Sequence, residues 1–390
     1  MKFTKLSLVA ALAVSTAFAG GDITPVEPVV EAPAAVADCN KDTTIAGKLT
    51  GYYITNDADS KNDMFSKEAS QLGLAATLDV AHKVTDWMTL NFSAVGYVNA
   101  LKQPNLVYME GDKHGAFFNV ANATFNYADT TFVAGRQLLA TPMLGGFDWL
   151  LAPGAFEAYT LVNNSFENVT LVGSYVRTWR PNNQGDTWYN LRKDADVAKL
   201  TGKKGGDNWT VGAAYDDKTI NGSVWYYNVD AADYTQVYAD AGYNFDIAKV
   251  AAQYVNTDYN AQKDSTAYGI KISGTVADID LSAAYNKIQD NKTGYVGVDS
   301  LYTSSWNTFT SAAYDNEDLD AFKISASTKI AGVSAELSYA DYDKGNETDL
   351  ILGYDITESI DAGLVYTNTK ANVTNADAVN ALEVFANYKF

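Results

Sequence analysis

One cysteine, two histidines, four arginines and seven prolines in 390 residues are small numbers, and each closes a route. The single thiol, Cys39, leaves no disulfide framework within one chain. With only His82 and His114, no Cys pair and no G-x-S-x-G stretch, zinc and hydrolase chemistry have nothing to stand on. No catalytic residue, cofactor or metal ligand is therefore expected, and the chain does not read as an enzyme. "DADSKND" at 57–63 resembles a calcium loop until its sixth position, where Asn62 stands in place of the glycine the turn needs. Beyond the N-terminus no run of 18 apolar residues exists, which removes a transmembrane helix. Basic residues number 28 against 47 acidic ones, a net charge of −19 that argues against a nucleic-acid partner.

The N-terminus carries an export signal. Lys2 and Lys5 precede an apolar run over 6–18, and Ala17-Phe18-Ala19 forms an A-x-A cleavage site. Residues 1–19 are read as a cleaved signal peptide, and loss of its two lysines takes the charge to about −21. Residues 20–42, with Pro25, Pro28 and Pro33, read as an extended periplasmic leader. Everything from 43 to 390 reads differently.

From Ile45 onward the period is two. Leu72, Leu74, Ala76 and Leu78 oppose Gln71, Thr77 and Asp79; Val237, Ala239, Ala241 and Tyr243 continue the pattern. The segments run near ten residues, enough to cross a bilayer at a tilt, and their polar faces suit a wet lumen. Connections alternate between short ones (82–86, 128–130, 165–168, 216–218, 330–332, 357–359) and mostly long ones (55–70, 100–115, 138–155, 180–206, 257–264, 288–318, 369–379). His82 falls in a predicted periplasmic turn and His114 in a predicted external loop. The expected fold is all-β, a transmembrane antiparallel β-barrel of about eighteen strands with short periplasmic turns and long external loops. Its strands near 131–139 and 156–163 alternate least cleanly. Because unpaired backbone is intolerable in lipid, the last strand must pair with the first, and Tyr388 and Phe390 are the residues expected at that closure.

The terminal Phe390 on an alternating strand is similar to the assembly signal of outer-membrane barrels. The stretch 134–164, with Gly135, Arg136, Gln137, Thr141 and Pro142, resembles the OprD-type porin family, in which a G-[RK]-Q strand and a T-P lead into the third external loop. Ala140 departs from the family pattern, where an acidic residue is expected. The resemblance implies an eighteen-stranded barrel whose third loop folds inward and narrows the pore.

Candidate residues follow. The loop residues Leu144, Phe147, Trp149, Leu150 and Leu151 would form a sticky patch outside the barrel. The constriction is therefore expected at Met143, Leu144, Gly145, Gly146, Phe147, Asp148 and Trp149, the two glycines supplying backbone freedom. All four arginines lie in 136–192. Arg136 and Glu157 are expected to face each other across the gap, with Arg177 and Arg180 at the pore rim. The inferred lumen charges nearly balance: Lys48, Arg136, Arg180, Lys249, Lys271, Lys323, Lys329 and Lys389 against Asp79, Glu157, Asp240, Asp280, Glu336, Asp349, Asp361 and Glu383. Balance favours passive diffusion of ions and small hydrophilic solutes. Alternatives are a channel specific for small carboxylates or amino acids, and a structural or adhesive surface barrel. Expected partners are outer-membrane lipid and lipopolysaccharide (bridged by divalent cations at acidic loops such as 315–320), the barrel assembly machinery, and two further copies in a homotrimer.

Overall fold

A computed structural model of the chain describes residues 42–59, 61–101, 114–148, 150–182 and 184–390. The signal segment, all but the last residue of the leader, Cys39 and Trp149 lie outside the described residues. The strands in chain order are β1 (Thr43–Asn56), β2 (Ser70–Thr85), β3 (Met88–Asn99), β4 (His114–Tyr127), β5 (Thr130–Gln137), β6 (Ala140–Thr141), β7 (Leu144–Gly145), β8 (Ala155–Phe166), β9 (Val169–Arg180), β10 (Tyr189–Asn190), β11 (Asn208–Asp216), β12 (Ile220–Val229), β13 (Tyr234–Phe245), β14 (Ala248–Tyr259), β15 (Ser265–Val276), β16 (Ile279–Gln289), β17 (Leu319–Ile330), β18 (Val333–Tyr342), β19 (Gly345–Thr357), β20 (Ile360–Lys370) and β21 (Ala378–Lys389). Eighteen of them form the wall; β6 with β7 and the short β10 belong to loops.

Every wall strand pairs antiparallel with its neighbours, and β1 pairs with both β2 and β21. The sheet therefore has no edge, the only way a β protein satisfies its backbone in lipid. Closure is tight at the terminus: Phe390 N–H donates to the Gly47 carbonyl at 3.0 Å and accepts from Gly47 N–H at 2.8 Å. The Phe390 ring lies over Gly47, where an added Cβ would sit 2.1 Å from it. Tyr388 stacks on Phe390 at 5.9 Å on the outer face.

Tight turns gather at the end where both termini lie, and long connections leave the other. Two of the turns, Ala277-Asp278 and Ala331-Gly332, place both central residues at positive φ. That handedness matches the twist of a two-residue hairpin. The two segments with the least clear alternation are paired wall strands as well, β5 and β8. His82 lies within β2, its Nδ1 2.8 Å from Thr43 Oγ1, and His114 opens β4. Neither sits in a turn or loop as expected, because these strands run longer than their apolar cores.

Apolar side chains such as Ile45, Leu49, Leu74, Leu78, Val224, Ile270 and Leu337 form the exposed outer belt. The inner face carries Thr50, Ser93, Asn221, Gln253 and Asn286, all buried. The single α-helix among the described residues, Asp194–Leu200, lies in the long connection after β9 and buries Val197.

Candidate pore constriction

Two connections fill the external half of the bore. The first is the expected one, 138–154. Thr141 Oγ1 donates to the Leu144 carbonyl at 2.5 Å, folding the β6–β7 hairpin around Pro142 and Met143. Leu139, Met143 and Leu144 are wholly buried against Phe156, Val176, Tyr227 and Val255 of the wall. Further along, Leu150, Leu151 and Ala152 pack on Tyr52, Val95, Tyr97 and Phe117 of the opposite sector. The loop thus leaves one wall and docks on another. Burying a side chain such as Leu144 stabilises by about 1.5–3 kcal/mol, so several together hold the loop inside.

The glycines act through space, and φ is not the issue. A Cβ on Gly146 would lie 2.2 Å from the Gly154 carbonyl oxygen, and one on Gly145 2.8 Å from that of Leu139. Two backbones approach closely there, which corrects the expected role of conformational freedom. Past the glycines, Phe147 meets Phe309 edge-on at 5.8 Å, and Asp148 reaches Lys48 of β1 at 3.7 Å. Burial pushes the Asp148 carboxyl above its ordinary value, while Lys48 pulls it down.

The second inward connection, 290–318, was not expected. Its Val296 bridges the first: Gly145 N–H donates to the Val296 carbonyl, and Val296 N–H to that of Met143, both at 3.0 Å. The rest is fixed to polar groups of the wall. Tyr302 N–H donates to Gln253 Oε1 at 2.8 Å and Thr303 N–H to Asn286 Oδ1 at 3.1 Å. Lys323 Nζ donates to the Ser304 carbonyl at 2.8 Å. At the tip, Trp306 N–H reaches Asp349 and its Nε1–H reaches Glu383, both at 3.2 Å. Glu347 accepts from Asn307 N–H at 2.6 Å and from Thr308 Oγ1 at 2.5 Å. Within the loop, Asp299 accepts from Leu301 and Ser311 N–H at 2.9 and 2.8 Å; burial still pushes its carboxyl up.

The arginines are elsewhere. Arg136 pairs with Glu157 across β5 and β8 in a ladder without register shift, in which Phe132 pairs with the exposed Leu161 and the buried Val133 with the buried Thr160. Alternation puts Arg136 and Glu157 on the outer face. Arg177, the extra residue of a bulge in β9, meets Glu157 at 3.5 Å on that face. Arg180 is fully buried: its Nε donates to Asn119 Oδ1 at 2.9 Å, Nη2 donates to the Pro153 carbonyl, and the guanidinium lies 4.5 Å over Phe117. It anchors the exit of the 138–154 loop and does not line a rim. The expected opposition of Arg136 and Glu157 across the gap, and the rim placement of Arg177 and Arg180, are thereby overturned. The cause is parity: mixed alternation near 131–163 left the inner face ambiguous. The other inferred lumen charges keep the inner face, and Lys389 pairs with Asp361 there at 3.1 Å.

Residues 106–363 match the outer membrane porin family OprD. No curated protein matches the chain. Among solved structures, Acinetobacter baumannii OccAB3 is similar with a TM-score of 0.75 at 14% identity, over 90% of this chain and 99% of that one. The opdK outer membrane protein of Pseudomonas aeruginosa gives 0.73 at 14% identity, over 90% and 98%. A BenF-like porin from Pseudomonas fluorescens Pf-5 gives 0.74 at 12% identity, over 90% and 99%. At such identities these structures speak for the fold.

Proposed function

The chain belongs to the OprD family of outer-membrane porins, and from that premise we propose where its bore narrows and what passes through it. It is a channel for small solutes in the outer membrane of a Gram-negative bacterium. The narrowest section lies between the 143–148 segment of one inward loop and the 296–309 segment of the other. The observation that carries this is their mutual backbone bridge at Gly145 and Val296, inside a closed wall. Below it the lining mixes Lys48, Lys271, Lys329 and Lys389 with Asp79, Asp240, Asp280 and Asp361. Charges of both signs along one wall give general passage of small hydrophilic solutes and ions, with no single solute held. Conductance and reversal potential of the purified protein in a planar bilayer test this. Absence of conductance refutes the channel; saturable block by one carboxylate or amino acid refutes general passage.

Its other associations follow from position. The acidic external loops suit divalent cations shared with lipopolysaccharide, and a homotrimer is the assembly proposed. Phe390, seated on Gly47, presents the closing strand to the assembly machinery. Deleting Phe390 should sharply reduce heat-modifiable protein in the outer membrane, and an unchanged level would remove that role.

A further inference from the structure

The outer wall carries a cluster of arginines that the channel does not use. Of the four arginines, Arg136 and Arg177 face outward from β5 and β9, the two strands that flank β8, and Arg192 follows on the connection after β9. The Tyr175 hydroxyl belongs to the same face, because Tyr175 pairs with the exposed Tyr159. That hydroxyl donates to Asp207 at 2.7 Å, and Arg192 lies 3.6 Å from Asp207. The depth of the patch is marked by aromatics. Tyr159, Tyr175 and Trp209 share one ladder row just below it, and such rings sit at the headgroup level of a bilayer.

Guanidinium on an outward wall is costly unless something satisfies it. Glu157 and Asp207 offset Arg177 and Arg192 at 3.5 and 3.6 Å, longer than charge-assisted hydrogen bonds, and the Tyr159 hydroxyl is a further partner of Arg177. Asp230 is occupied with the Asp207 N–H and Asn228. Arg136 has no carboxylate within ion-pair distance among the described residues; it donates to the Phe118 carbonyl at 2.9 Å and lies flat on Trp188 at 4.2 Å. The Trp188 ring restrains the planar guanidinium from one side. A planar fork suits phosphate, where lysine offers only a point charge. Apart from these three and the buried Arg180, every Lys or Arg in the sequence is a lysine.

We propose that Arg136, Arg177 and Arg192 form a site on the outer wall for the phosphate of an outer-leaflet lipid, the bis-phosphorylated glycolipid of the outer membrane. The site rests on the outer-membrane reading, while its occupancy is independent of conduction. The chain is acidic overall, so this arginine cluster sets the face of the barrel that docks such lipids.

Native mass spectrometry of the purified barrel, incubated with lipid A or with its dephosphorylated form, tests this. Each sample is checked in parallel for heat-modifiability and bilayer conductance. The wild type should retain one phosphorylated lipid, and R136Q/R177Q should retain it about tenfold less, the loss of a charge-assisted contact. Lys263→Gln, at the external end of a different sector, should leave retention unchanged. If R136Q/R177Q does not fold, R136K/R177K keeps the charge and should lose about half the discrimination, since the fork contributes geometry as well as charge. Equal retention of the dephosphorylated lipid, or undiminished retention in both double variants, overturns the site. So does competition by inorganic phosphate alone at the same occupancy. A shift from trimer to monomer with lipid retention intact would make the patch a subunit interface and likewise overturn it. Loss of conductance with lipid retention intact would count against the channel reading only.

Discussion

The two inward loops reach the same place by opposite chemistry. The 138–154 loop is held by apolar burial: Met143 and Leu144 against one wall, Leu150 and Leu151 against another. The 290–318 loop is held by wall side chains: Gln253, Asn286, Lys323, Glu347 and Asp349 meet its backbone, and Glu383 meets the Trp306 indole. Apolar docking is non-directional, so it fixes the loop's depth more than its detailed path. Hydrogen bonds to buried carboxylates are directional and fix the path atom by atom. One loop obstructs the bore and the other shapes what remains. The bridge at Gly145 and Val296 makes each depend on the other.

Breaking the apolar loop should have the largest effect. Leu144→Asp would bury an unpaired charge at a wholly enclosed position, which costs several times the ~2–5 kcal/mol of Leu→Ala. The loop should leave the wall, and single-channel conductance in a planar bilayer should rise severalfold. Gly146→Val should act the same way, because its Cβ meets the Gly154 carbonyl oxygen. Unchanged conductance in both variants would mean that the loop does not limit the bore.

The polar loop should yield less. Glu347→Ala removes the acceptor for Asn307 N–H and Thr308 Oγ1, at about 1–3 kcal/mol for each donor left without a partner. The 304–309 tip should come loose while Val296 and Tyr302 stay fixed. Open-channel noise should then increase, with a smaller gain in mean conductance than Leu144→Asp gives. If Glu347→Ala opens the channel more than Leu144→Asp, the division of labour between the loops is reversed.

The difference between the loops also explains what sequence could disclose. Leu144, Phe147, Leu150 and Leu151 are conspicuous in an external connection, because solvent-facing loops do not hold such a run. Ser300, Ser304, Ser305, Thr310 and Ser311 look like an ordinary solvated loop, and their burial depends on wall partners distant in sequence, such as Tyr342 for Ser305. A faint signal was present: Tyr295, Tyr302, Trp306 and Phe309 are many aromatics for a solvated segment. The wall itself was legible because a period of two repeats in most strands, and Phe390 made the closure visible. Face assignment failed only near Arg136 and Arg177. Val133, Ala158, Val162 and Val176 face inward there against the apolar loop, so both faces of the wall are apolar and parity loses its contrast.

Charge at the tip of the apolar loop offers a finer test. Asp148 sits against Lys48, and burial holds its carboxyl above the ordinary value. Acidification should therefore neutralise Asp148 before it neutralises exposed external carboxylates. Reversal potentials should move toward anions over that first interval. Asp148→Asn should show the shift already at neutral pH and lose its early pH dependence, and Lys48→Gln should move the other way. A pH profile identical in Asp148→Asn and wild type would place the selective section away from the loop tip.

The smallest effect is expected where sequence alone pointed most directly. If Arg136 lined the gap opposite Glu157, Arg136→Gln would shift the reversal potential toward cations and Glu157→Gln toward anions. On the outer face both guanidinium and carboxylate are separated from the bore by the wall and by the apolar loop. Electrolyte enters the bore, and screening over about 8–10 Å removes what field remains. Reversal potentials in a salt gradient should therefore be the same for Arg136→Gln, Glu157→Gln and wild type, while Asp148→Asn measured beside them shifts. A shift in the Arg136 variant as large as that of Asp148→Asn would return the guanidinium to the lumen and contradict the unbroken ladder that pairs it with Glu157.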